Sequence, residues 1–141
     1  MEGPRLYIFT ALQVIGVGVL VWILVTSKTP WNAQRDAGTV LVIVGVTFIF
    51  VARYQLGKSF SIRPEAHALV TTGIYSKIRN PIYVFGTVLM VGLFLILQRP
   101  ELWILLVIIV IAQTVRAKKE ARVLEAAFGD AYREYRRKTW F

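Results

Sequence analysis

Apolar positions in this chain come in long blocks. Leu6 to Thr26 runs for 21 residues without a charge, Ala37 to Ala52 for 16, Ile82 to Gln98 for 17 and Leu102 to Val115 for 14. A helix that crosses a bilayer needs about 20 apolar residues, with about 17 as the usual lower limit. The pattern predicts an all-α fold: a single polytopic membrane bundle over 1–141, with about four transmembrane helices at 6–27, 37–55, 82–98 and 101–116. The second block reaches length when Arg53 and Tyr54 snorkel toward the interface. The fourth fits the membrane part of a helix that continues into water. Gln98-Arg99-Pro100-Glu101 reads as a tight turn, which makes the last two blocks an antiparallel hairpin. The first block is too long for the apolar core of a signal peptide, and no clear small-residue cleavage site follows it.

The polar stretches divide unevenly. Ser27 to Asp36 carries Pro30 and Trp31, an aromatic suited to a membrane interface. The loop 56–81 is the longest and most polar connection before the C-terminus. From Arg116 the chain reads RAKKEARVLEAAFGDAYREYRRKTWF, and a helix is expected over 117–138. At about 100° per residue Leu124, Ala127, Phe128, Ala131 and Tyr135 share one arc, and Glu120 falls in it too. Alone, this is a basic amphipathic helix lying on a membrane surface, which leaves the inward Glu120 unexplained. Gly129 is its weak point.

Composition agrees with the blocks: 56% of residues are hydrophobic, and the mean hydropathy is +0.58. The net charge of +9 suggests either nucleic acid or an anionic membrane, and its location decides between them. With four spans, one side holds 14 of the Lys and Arg residues and the other holds Lys28, Arg35 and Arg99. That asymmetry puts both termini in the cytoplasm, in an inner membrane of bacterial or archaeal type. The charge is then a topology signal with affinity for anionic lipid, and a nucleic-acid partner is not expected.

Cysteine is absent and His67 is the single histidine, so thiol chemistry and multi-histidine metal sites are excluded and no metal is expected. His67, beside Glu65, reads as a solvated loop residue. The polar residues near the helix ends remain. Tyr75, Arg79, Asn80 and Tyr83 precede or open the third block. Pro81 suits the first turn of a helix, and Asn80 stands at the N-cap, where its side chain can accept a backbone N–H. Each has a plain reading, as a cap, a positive flank or an interface aromatic. Together they form a cationic, hydrogen-bonding and aromatic cluster at the mouth of a bundle. A helix N-terminus there favours a carboxylate, so the cluster suits a zwitterionic cofactor with an aromatic part.

These residues carry a resemblance. Leu69-Val70-Thr71-Thr72-Gly73-Ile74-Tyr75, followed by Arg79-Asn80-Pro81-Ile82-Tyr83, resembles the L-V-x-x-G-x-Y-x-x-x-R-H-P-x-Y signature of the isoprenylcysteine carboxyl methyltransferase and phospholipid methyltransferase families. The later Arg116, Glu120, Leu124, Phe128-Gly129, Tyr132 and Tyr135 are similar to their R-x-x-x-E-E-x-x-L-x-x-x-F-G-x-x-Y-x-x-Y tail. Asn80 stands where histidine is usual, Ala121 where a second glutamate is usual, and Phe85 where glycine is frequent.

The resemblance implies an integral membrane enzyme that uses S-adenosylmethionine at the cytoplasmic helix ends. It also implies a lipophilic methyl acceptor entering from the bilayer, either an isoprenylcysteine-type carboxylate or a lipid headgroup. On this reading Glu120 and Arg79 are the catalytic candidates. Tyr75, Arg79, Asn80, Pro81, Tyr83 and Glu120 surround the cofactor, with Glu120 on its amine. Arg53, Arg116 or Tyr135 orients the acceptor. Three other classes stay open: a non-catalytic lipid- or partner-binding membrane protein, a sterol-reductase-like NADPH enzyme, and a channel or transporter using the intramembrane Gln13 and Gln113.

Overall fold

The computed structural model describes residues 3–57 and 69–141. It is helical apart from one isolated bridge among these residues. The helices are α1 (Gly3–Thr26), α2 (Ala33–Leu56), α3 (Pro81–Leu97), α4 (Leu102–Phe128) and α5 (Asp130–Lys138), with a short 3-10 helix at Gly73–Ser76. Residues 58–68 of the loop expected at 56–81, with Lys58, Arg63, Glu65 and His67, lie outside the described residues, as does the side chain of Gln13.

Local signals explain the boundaries. Asn32 caps α2 by accepting the Arg35 N–H at 3.0 Å, and Asp36 adds a negative charge to the first turn. α3 opens on Pro81. Asn80 sits at its N-cap position, but the side chain makes no capping bond there, contrary to the expectation from sequence. Its backbone carbonyl accepts instead from Tyr83 and Val84, both at 3.1 Å. α4 runs unbroken from the apolar block into the basic segment. Gly129, at φ 53, then ends it, because the left-handed backbone there suits glycine. The arc drawn from Leu124 to Tyr135 therefore does not continue through one helix.

α3 lies along α2 far more extensively than along α4. Glycines allow it: a Cβ on Gly38 would stand 2.6 Å from the Gly92 carbonyl oxygen, and one on Gly45 would stand 2.8 Å from the Leu89 nitrogen. Two helices come this close only where side chains are missing. Val42, Ala52, Phe94 and Ile96 are buried beside the contact, and Phe48 stacks on Phe85 at 4.6 Å.

At the far end Arg35 is buried, only 5% exposed. Its guanidinium donates to the carbonyls of Leu24 at 2.8 Å, Thr29 at 2.6 Å and Ser27 at 3.2 Å. It lies 4.3 Å from the Trp31 ring centre. The side chain thus satisfies carbonyls at the end of α1 that no helical N–H can reach. The Thr29 hydroxyl reaches the Ile96 carbonyl at 2.9 Å, and Gln98 reaches the Pro30 carbonyl at 3.0 Å, joining the end of α3 to the same knot.

Many large apolar side chains face outward, among them Val14, Ile15, Trp22 and Val25 on α1, and Ile104, Val107, Ile108 and Ile111 on α4. Among the described residues α2 is the one helix long and apolar enough to cross a membrane by length and composition. Val14–Thr26 and Pro81–Leu97 are shorter apolar helices.

Candidate active site

The stretch ahead of α3 is held from both sides. Gln55, near the end of α2, accepts the Ile74 N–H at 2.7 Å. Gly73, at φ 60, passes directly against the Gln55 amide and leaves no room for a side chain. Tyr75 is buried, and its carbonyl accepts the Tyr135 hydroxyl at 2.7 Å. Residues 77–80 then pair with the tail beyond α5. The Trp140 N–H donates to Lys77 at 2.7 Å, while the Arg79 and Asn80 N–H groups donate to the carbonyls of Trp140 and Phe141, each at 3.0 Å. The last three residues, Thr139 to Phe141, thus strap the Arg79-Asn80 turn.

A cavity of about 350 Å³ lies between this turn, α4 and α5. Thr114, Ala117, Ala121 and Glu125 form its α4 wall at helical spacing. Arg79 and Asn80 line it opposite, with Tyr132, Arg136 and Phe141. An open crevice of about 600 Å³ adjoins it and shares Arg79, Glu125, Arg136 and Phe141, adding Arg133, Arg137 and Trp140. The volumes fall within the range of small-molecule sites, roughly 300–1,000 Å³.

The neighbouring face of α4 meets α3 along a polar seam. The Tyr83 hydroxyl donates to Glu120 Oε1 at 2.7 Å, and Arg116 Nε donates to the same oxygen at 3.1 Å. The Arg116 guanidinium lies 5.9 Å from the Tyr83 ring centre. One turn deeper along α3, the Thr87 hydroxyl donates to Gln113 Oε1 at 2.9 Å. Glu120 is thus held by two neighbours and is absent from the lining of both cavities.

Of the residues picked from sequence, Arg79 and Asn80 line the cavity. Pro81 is fully buried behind them. Tyr83, Glu120 and Arg116 gather on the seam. Tyr75 and Tyr135 are joined to each other beneath the strap. Arg53, in the last turn of α2, lines neither cavity. Sequence reasoning missed Glu125, Arg136 and Phe141. The signal for Glu125 was present: Ala117, Ala121 and Glu125 recur every four residues, a small-small-acid stripe on one helix face.

Burial pushes the Tyr135 hydroxyl up to about 12, against the pull of Arg79. Burial also raises Tyr75, with Tyr135 and Glu120 adding to the shift. It raises Tyr132 while Arg79 and Arg136 oppose. All three hydroxyls are therefore neutral at pH 7, and of the three only Tyr132 lines the cavity.

The family model for phospholipid methyltransferases matches residues 33–131. The chain belongs to this family. Its members are membrane-associated methyltransferases, so the chain is an enzyme of that class. No curated protein and no solved structure matches the chain. The matched region takes in α2, the strapped turn, α3, α4 and the first two residues of α5. The family's region thus supplies Arg79, Asn80, Ala121 and Glu125, while Tyr132, Arg136 and Phe141 close the cavity from beyond it.

Proposed function

We propose that the chain is a polytopic membrane methyltransferase that takes its methyl group from S-adenosylmethionine and passes it to a lipophilic acceptor. Four spans are formed by α1, α2, α3 and the first half of α4, with both termini cytoplasmic. The cavity at the Arg79-Asn80 turn carries this reading. Its lining matches the cofactor's chemistry: Arg79 just ahead of α3 and Arg136 on α5 for a carboxylate, aromatic rings of Tyr132 and Phe141 for a purine, and a wall of two alanines that permits close approach.

When bound, the cofactor's sulfonium supplies an already activated methyl group. The protein's task is then to position the reactants and exclude water. Arg79 and Asn80 hold the cofactor's polar end, while Tyr75 and Pro81, both buried, fix the turn that carries them. The Tyr83–Glu120–Arg116 group flanks the acceptor side, where its charges act in a low-dielectric setting and need not reorganise. A lipid headgroup or an isoprenylcysteine-type carboxylate reaches it along the α3–α4 seam.

The test is calorimetric titration of detergent-purified protein with S-adenosylmethionine, alongside Arg79→Ala and Glu120→Ala. The reading expects micromolar binding by the wild type and weaker binding by Arg79→Ala. Glu120→Ala should keep most of its affinity and lose methyl transfer to lipid extracts. A well-folded wild type that binds no cofactor would falsify the proposal.

A further inference from the structure

We infer that Glu125 is the carboxylate that receives the α-ammonium of the cofactor's amino-acid end, exchanging its present partner Arg133 for it. The inference rests on the cofactor reading above. It starts from a charge imbalance. Both cavities are lined by cations: Arg79, Lys118, Arg122 and Arg136 in the inner one, and Arg133 and Arg137 as well in the outer crevice. Among the described residues Glu125 is the one acid that lines them, and it lines both. A ligand carrying only negative charge would need no such group. A ligand with a carboxylate and an ammonium side by side needs an acid within reach of the arginines, and Glu125 lines both spaces together with Arg79 and Arg136.

The geometry permits the exchange. Glu125 Oε1 accepts from Arg133 Nε at 2.8 Å, and its side chain is 36% exposed. Arg133 also donates to Asp130 at 2.8 Å from its other end. When Glu125 turns to a ligand ammonium, Arg133 therefore keeps a carboxylate partner. Exposed ion pairs of this kind are weak, because water screens both partners, so the release costs little. Ala121, one turn earlier on the same face, places nothing beyond its Cβ between Glu125 and the cavity. Glu120 is not equivalent, because Tyr83 and Arg116 hold it on the seam.

The experiment is a four-way titration in detergent. Wild type and Glu125→Gln are each titrated with S-adenosylhomocysteine and with its analogue lacking the α-amine. Charge-assisted pairs of roughly 1.5–3 kcal/mol correspond to about 10- to 100-fold in affinity. The inference expects a loss of that order when either the amine or the carboxylate is removed, and little further loss when both are. It also expects Arg133→Gln to bind S-adenosylhomocysteine at least as tightly as wild type. Equal weakening of both ligands by Glu125→Gln, or unchanged binding in that variant, would overturn the assignment while leaving the cofactor reading intact. A drop in Arg133→Gln as large as in Glu125→Gln would overturn the exchange. A wild type that binds neither ligand would remove the inference together with the reading it rests on.

Discussion

The two ends of this bundle use arginine in opposite ways. At the far end Arg35 is buried and directs its guanidinium at three backbone carbonyls of its own chain. At the strapped end Arg79 and Arg136 face a cavity, and Arg79 makes one long bond, 3.3 Å, to the Arg136 carbonyl. The helices behave alike. α2 and α3 meet glycine to backbone, whereas α3 and α4 meet along a polar seam with a cavity on the next face. The lesson is that internal hydrogen bonding and ligand binding compete for the same groups. A guanidinium committed to carbonyls holds the fold, and one left facing a cavity is available to a ligand.

Substitutions can break this contrast. The largest effect should come from Gly92→Leu, which drives a side chain into the Gly38 carbonyl and the Val42 nitrogen. It should cost about 3 kcal/mol, the upper range for overpacking, read as thermal unfolding in detergent, with cofactor binding lost along with the fold. Arg35→Met should follow, at about 2 kcal/mol, because buried carbonyls lose a charged donor. Its folded fraction should bind S-adenosylmethionine as the wild type does. Weakened binding in that fraction would mean that the two ends are coupled. Arg79→Ala should do the reverse, lowering affinity about tenfold, or 1.4 kcal/mol, with little change in melting temperature.

The smallest effect sharpens the comparison. Tyr135→Phe removes one buried hydrogen bond to Tyr75 and should cost about 1 kcal/mol. It also carries a pH signature. The hydroxyl is raised from its ordinary 10.0 to about 12 in the folded protein. Above pH 10 the unfolded chain loses this proton more readily than the folded one, so stability falls. The contribution is complete below pH 10 and is lost as the pH rises to about 12. Unfolding followed across that window should show a slope that is reduced in Tyr135→Phe and unchanged in Arg35→Met.

Much of this was legible along the chain, and particular residues show why. Helix boundaries follow from nearest neighbours: Asn32 ahead of Ala33, Pro81 at the first position of α3, and Gly129 after Phe128. Each signal acts over a few residues. The Arg79-Asn80 turn was picked out because an Asn-Pro break between apolar blocks is visible locally, and the family match bears on the same stretch. Counting Arg35 as a flanking charge missed its burial, because its carbonyl partners belong partly to the preceding helix.

The sequence by itself determined the helical class, the apolar blocks, the start of α3 and the membership of a methyltransferase family, since these rest on periodicity, short-range capping and a motif read in order. Only the tertiary structure decided which acid faces which space. Glu120 and Glu125 lie on one helix five residues apart, and the packing of α3 on one side and α5 on the other turns the first to a seam and the second to a cavity. It also decided that Trp140 and Phe141 pair with Lys77, Arg79 and Asn80. Backbone pairing across some sixty residues leaves no local trace, because any tripeptide offers the same N–H and C=O groups.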